Sequence, residues 1–461
     1  MMQDADVTAG LPAPSPRNDR REIFGWSMYD WASSAFSTTV VTVLAGPYLT
    51  ALAQSVVGEN GTVLGLGPLG RVTAKSLFPY CISASVLLQA LWLPLLGGLA
   101  DYTNLKKPLM AVFCYSGAAA TCLLVFITDD MYLAGGVLLI IANVCFGASI
   151  VLYNAFLNDI ATDDRRDAVS SRGYALGYLG GGLLLALNLL LVRSASTLGI
   201  STGLAVRLSL MSAGLWWGGF ALITFRLLEA RRSVRPRPAG ASYFTVGIRE
   251  LAHTWRELRL LPLTLRYLVA YMAFNDGIQT VITVSSVFLA QELFVARGLP
   301  ADQSFLIGLI LMVQFVAFAG AMLFERIAAV TGTKNAIVLS LILWTGVVIY
   351  AYGFLQTTAE AWAMGAMIAI VLGGSQALSR SLFSRMIPPG REASFFSLYE
   401  ISERGTSWIG PLIFGLVVAL TNSYRQAIIS LVALFVIGMI VLLLTDTERA
   451  VHEAASHVRG A

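Results

Sequence analysis

The sequence is poor in charge: Asp, Glu, Lys and Arg make up 13% of its 461 residues. A soluble globular chain carries about 25%, so a water-facing surface over most of this molecule is excluded. Histidine is scarce as well. His253, His452 and His457 all fall outside the long apolar runs, which leaves no histidine metal cluster and no buried histidine proton relay. The four cysteines, Cys81, Cys114, Cys122 and Cys145, lie in or beside apolar runs with neither disulfide spacing nor a CxxC pattern. They read as packing residues. A Walker A sequence is missing, which argues against a self-contained ATP-driven pump. The sequence implies no cofactor, metal or nucleic-acid partner, and the polar residues do not assemble a nucleophile, base and orienting group for an enzyme. The first 22 residues are polar and Pro-rich without a short apolar segment and small-residue cleavage site, so the N-terminus is expected to remain uncleaved and cytoplasmic.

What the chain has instead is apolar length: 56% of residues are hydrophobic and the mean hydropathy is +0.72. A bilayer crossing needs roughly 20 apolar residues. Runs of that length occur at 24–50, 77–100, 108–128, 133–157, 173–192, 205–227, 265–290, 304–328, 335–355, 361–386, 395–419 and 426–445. With the N-terminus inside, 23 Lys and Arg fall on the cytoplasmic side and five on the outer side: Arg71, Lys75, Arg193, Arg297 and Arg425. This is the asymmetry of the positive-inside rule, and an even number of spans places both termini in the cytoplasm. The expected organisation is a polar tail (1–22), a six-helix bundle (23–228), a basic linker (229–262), a second six-helix bundle (263–446) and a cytoplasmic tail (447–461). In the linker, Phe244, Ile248, Leu251, Trp255 and Leu258 recur at helical spacing among Arg249, Arg256 and Arg259. That pattern is either a basic amphipathic helix on anionic lipid or a solvated charge run.

The two halves repeat. Asn154 to Arg165 and Arg380 to Arg391 leave the fourth and tenth spans with identical spacing, and Asp30 in the first span answers Asp276 in the seventh. Gly97-Gly98-Leu99-Ala100-Asp101 with Lys106 and Lys107 ends the second span; the eighth ends on Gly320 to Arg326, including Glu325, followed by Lys334. The Gly-x-Leu-Ala-Asp sequence followed by basic residues resembles the loop signature of the major facilitator superfamily, although Tyr102 and Asn104 stand where that family usually has Arg and Gly. The resemblance implies a gating loop built from Asp101, Lys106, Lys107, Glu325, Arg326 and Lys334.

A further resemblance covers most of the chain. Gly25 to Phe36, Tyr153 to Leu157, Ser171 to Tyr178 and Gly373 to Ser381 are similar to the autophagy-related vacuolar effluxer branch of that superfamily, bacterial members included. It implies an all-α membrane protein with twelve transmembrane helices in two six-helix bundles. It also implies a secondary transporter, with amino-acid export associated with the fungal members and the inner membrane as its place in a bacterium. The third helix of each three-helix repeat is expected at the periphery.

Polar residues inside the spans map the cavity, because a charge in hydrocarbon costs several kcal/mol unless it faces the bundle interior. Spans three, nine and twelve carry no charged, Asn or Gln residue in their interiors. The candidates for a substrate or proton pathway are Asp30, Asn143, Asn154, Asp276, Gln279, Gln376, Arg380, Glu400, Glu403 and Arg404. Asp30 and Asp276 are either proton carriers or structural, capping a helix or pairing with an Arg. Glu400, Glu403 and Arg404 share a helix face, so one acid is left to pair with Arg380 or to titrate. Arg380 could instead hold a substrate carboxylate. Gly173, Gly177, Gly180, Gly181 and Gly182 lack nucleotide-loop spacing and read as a close-packing face. The expected partners are a small solute, membrane lipids and protons as the coupling ion. The competing class is a receptor, scaffold or lipid scramblase that keeps the transporter fold.

Overall fold

A computed structural model describes residues 17–58, 61–65, 71–230, 254–299, 302–404 and 409–457. Among these residues, eleven helices are long and apolar enough to cross a bilayer: Arg20–Val57, Ala74–Asp101, Lys106–Phe126, Tyr132–Ile160, Arg166–Arg193, Thr202–Leu227, Pro262–Arg297, Ser304–Thr331, Thr333–Gly353, Thr358–Arg385 and Tyr424–Leu443. Two shorter helices, Glu392–Arg404 and Ile409–Thr421, make up the remaining, eleventh crossing, which gives twelve spans. Large apolar side chains such as Leu87, Leu91, Leu190, Leu215 and Leu420 stay exposed on the outside of the bundle. In a membrane these face lipid, which is where apolar surface belongs.

Helix ends follow local chemistry. Asp19, Ser201, Asp302 and Ser423 cap their helices with side-chain oxygens that accept the N–H three residues on. Thr357 and Glu360 form a capping box. The first span runs past its expected end and is wound as a π-helix from Phe36 to Leu44, a rare form that often marks functional segments. One feature departs from an all-helical chain: Thr62–Gly65 and Arg71–Thr73 form a small antiparallel hairpin between spans one and two.

The principal contacts between the halves join span two to eleven, four to eleven, five to eight and five to ten. Spans three, six, nine and twelve pack mainly on members of their own half, the periphery that their lack of polar residues implies. The pairing of two with eleven and five with eight is what a two-fold relation between halves produces. The same relation recurs at one end of the molecule. Lys107, after span two, donates to the carbonyl of Leu228 at the end of span six; Lys334, after span eight, donates to those of Leu443 and Thr445 at the end of span twelve. In both halves a loop cation thus satisfies orphan carbonyls at a helix C-terminus.

Candidate functional site

Arg380 lies in the interior of span ten and is almost fully buried. Its five N–H groups all find acceptors in the opposite half. Nε donates to Ser170 Oγ at 2.9 Å, and Nη1 to Asn154 Oδ1 at 3.2 Å and Asp30 Oδ2 at 3.3 Å. Nη2 donates to Asp30 Oδ2 at 3.3 Å and to the Ser170 carbonyl at 3.0 Å. The guanidinium also lies 4.2, 4.9 and 5.6 Å from the ring centroids of Tyr174, Trp26 and Tyr153. Only Arg offers a planar, permanently charged fork that can fill such a cage. Asp30 uses Oδ2 for both Arg380 contacts and for the Tyr153 hydroxyl at 2.7 Å; its Oδ1 takes no partner among the described residues. The sequence offers Arg380 a leftover acid of span eleven or a substrate carboxylate; the acid it meets is instead Asp30 of span one, and in this conformation no N–H is left for a substrate carboxylate.

Asn154 continues the network. Its Nδ2 donates to Glu400 Oε1 at 2.9 Å, so Asp30, Arg380, Asn154 and Glu400 form a chain that crosses between the halves three times. Asn158 and Arg166 both donate to the Ser384 carbonyl, at 2.9 and 3.1 Å. Gly173 makes the cage possible: a Cβ there would collide with Asp30 Oδ2 and press on Trp26 and Arg380. Higher in the bundle, the Tyr178 hydroxyl donates to Gln376 Oε1 at 2.7 Å, and Gln314 reaches Thr38 at 3.1 Å.

The halves are also latched at the end that carries the linker and the C-terminal helix. Asp101 accepts the N–H groups of Ala393 and Ser394 at 2.9 and 2.8 Å, so a carboxylate from span two sits on the N-terminus of span eleven. Gly97, one turn earlier, lies against the Ala393 carbonyl at a distance no Cβ could share. Lys106 pairs with Asp159 at 2.9 Å, and Asp167 receives both Arg385 at 2.8 Å and the Thr333 hydroxyl at 2.6 Å. Glu325 and Arg326, the expected counterparts of the span-two loop, take no ion-pair or hydrogen-bond partner among the described residues. The latch is therefore asymmetric, with Asp167, Thr333 and Arg385 standing where a copy of the Asp101 contact would be. Among the described residues, no inter-half hydrogen bond is made at the opposite end.

The remaining candidates are placed apart from Arg380. Asn143 Nδ2 donates to Ser85 at 2.6 Å and its carbonyl accepts from Gln89 at 2.9 Å, tying span two to span four within one half. Asp276, 2% exposed, accepts the N–H of Gly410 at 2.7 Å through Oδ2, at the start of the Ile409–Thr421 helix. Its Oδ1 is buried with no hydrogen-bond partner among the described residues. Asn275 donates to the Glu403 carbonyl at 3.3 Å, Tyr271 donates its hydroxyl to Glu403 Oε2 at 3.1 Å, and Gln279 stands one turn further along span seven, 3.5 Å from Asn275. The side chain of Arg404 lies outside the described residues. Sequence reasoning did not single out Trp26, Tyr153, Tyr174 and Ser170 as a cage, nor Asp167 and Arg385 as a latch. The aromatic three do stand inside the stretches that carry the family resemblance.

The Vacuole effluxer Atg22 like family model matches residues 18–455. The chain belongs to this family. It is 30% identical to an uncharacterized MFS-type transporter, YxiO, of Bacillus subtilis, covering 92% of this chain and 94% of that protein. It is 26% identical to Autophagy-related protein 22-1 of Aspergillus niger, covering 98% and 94%. Among solved structures, the human organic anion transporter MFSD10 aligns with a TM-score of 0.68 at 14% identity over 93% of this chain and 100% of that one. The transporter FucP in its outward conformation aligns at 0.66 and 10%, again over 93% and 100%. At such identities these likenesses show the fold, the major facilitator fold. The chain is thus a multi-pass integral membrane transporter and not an enzyme.

Proposed function

We propose that this protein is a secondary transporter that exports a small zwitterionic solute, such as an amino acid, by alternating access, with protons as the coupling ion. The observation that carries this reading is the Arg380 network. It joins the two halves through hydrogen bonds that must all break when the linker end opens, and breaking them exposes a cation and Asp30 together. The separated pair offers Arg380 to a carboxylate and Asp30 to an ammonium, so solute can replace the interactions that the closed state provides. The positive-inside count supports a cytoplasmic linker end. Closure there, with no inter-half hydrogen bond at the other end among the described residues, supports an outward-open state. The direction of transport follows the description of the family as effluxers. Asp276 suits proton coupling: it is a buried acid whose Oδ2 accepts the Gly410 N–H while its Oδ1 takes no hydrogen bond among the described residues.

Counterflow of labelled amino acids in proteoliposomes, with and without an imposed pH gradient, tests the reading. Saturable exchange that is lost in Arg380→Gln is expected. A folded protein that exchanges no member of the panel would overturn the solute class, and accumulation indifferent to the gradient would remove the protons.

A further inference from the structure

The helical residues 254–260, directly before span seven, present two unlike faces. Thr254, Glu257 and Leu258, with Leu261 just beyond, are buried. Glu257 reaches into the protein to pair with Arg391 at 2.7 Å. The other face carries Trp255 and Leu260, 47% and 66% exposed, together with Arg256 and Arg259, also exposed. The Arg259 guanidinium lies over the Trp255 ring, 5.3 Å from its centroid. Glu257, the acid among residues 254–260, is thus turned inward, and the outward face shows two cations, an indole and a leucine. Span seven begins at Pro262, two residues past Leu260, so this face lies at the level where the membrane ends. From 231 to 262 the sequence has seven arginines against two acids, Glu250 and Glu257. Phe244, Ile248 and Leu251, the upstream part of the expected amphipathic pattern, lie outside the described residues.

We propose that the helix at 254–260 docks through Trp255, Arg256, Arg259 and Leu260 onto anionic headgroups of the cytoplasmic leaflet, and through Glu257 passes that attachment to the inter-half latch. The orientation rests on the proposed function above. Lipid is favoured because apolar and cationic groups are interleaved on one narrow face: indole and leucine enter the interface while the arginines stay with the headgroups. Transmission is local. The N–H of Arg391 donates to the Pro388 carbonyl at 3.1 Å, and its carbonyl accepts from Phe395 at 3.0 Å. The next residues but one, Ala393 and Ser394, are those whose N–H groups sit on Asp101. A docked helix therefore steadies the start of span eleven in its latched position.

Hydrogen exchange of the full-length protein tests this in vesicles of phosphatidylcholine alone or mixed with phosphatidylglycerol. Two arginines at a charged leaflet strengthen docking roughly 30-fold, so exchange at 254–260 is expected to slow by up to that factor with the anionic lipid. The response should vanish in the double variant Arg256→Glu, Arg259→Glu and should weaken in Trp255→Ala. Equal exchange in both lipids, or an unchanged response in the double variant, overturns the proposal. Labelling of Arg256→Cys by an impermeant maleimide separates the two levels of the argument. Labelling in intact cells overturns the orientation and the docking together, whereas protection there combined with indifference to lipid charge overturns the docking alone.

Discussion

Asn154 and Arg380 hold the same position in the two halves of the sequence, and their side chains meet at 3.2 Å. Four residues on, Asn158 and Ser384 are again equivalent and again in contact, at 2.9 Å. Equivalent residues touch only where a two-fold axis passes between them, so spans four and ten cross close to that axis. The pair is chemically unequal. One half supplies an amide with both a donor and an acceptor, the other a guanidinium, and the difference lets Asn154 accept from Arg380 while donating to Glu400.

Removing the cation from this arrangement should be costly. Arg380→Gln leaves Asp30 buried without a counter-ion, a loss of about 3 to 5 kcal/mol for a buried pair, read as a lowered melting temperature. Asp30→Asn should cost a similar amount, since Arg380 is then the unpaired charge. The double variant Asp30→Asn, Arg380→Gln should be more stable than the sum of the single effects implies. Strict additivity would mean that the two residues do not depend on each other for stability.

Asp101 holds the start of span eleven by charge as well as by geometry. Asp101→Asn keeps the size of the side chain but lacks the anion that favours a helix N-terminus, a difference of about 1 kcal/mol. The expected result is a shift toward opening at the linker end. A buried reporter at that seam, Ser384→Cys, should react several-fold faster with a thiol reagent in the Asp101→Asn background. Unchanged reactivity would leave Asp101 without a part in closure.

The twelve spans were legible in the sequence because lipid imposes uninterrupted apolar length on each crossing, and the halves were legible because Asn154–Arg165 and Arg380–Arg391 keep one spacing. The partner of Arg380 was not. Helical periodicity relates Glu400, Glu403 and Arg404 along one helix face, but says nothing about which helix stands opposite, and the acid that meets Arg380 comes from 350 residues away. The aromatic cage escaped for the same reason: Trp26, Tyr153 and Tyr174 come from three spans and share no spacing. Asp276 was legible as a costly carboxylate, and capping a helix was among its possible explanations. Its bond to Gly410 and its second oxygen, which has no hydrogen-bond partner among the described residues, required coordinates.

That second oxygen carries the last prediction. A carboxylate that caps a helix through one oxygen needs only that oxygen, and Asp276 Oδ2 already accepts from Gly410. Asp276→Asn can preserve this bond through its amide carbonyl, so a purely structural residue would tolerate the change with a modest fall in melting temperature. A proton carrier would not, because an amide can neither take up nor release the proton that couples the two directions of movement. Solute exchange at equilibrium needs no net proton transfer. The expected outcome is therefore a split: Asp276→Asn loses uptake driven by a pH gradient and keeps counterflow. Glu403→Gln provides the control, since Glu403 already receives the Tyr271 hydroxyl and is the other acid close to span seven. Gradient-driven uptake that survives in Asp276→Asn and fails in Glu403→Gln would move the coupling proton to Glu403, and survival in both would take it out of this pair of spans.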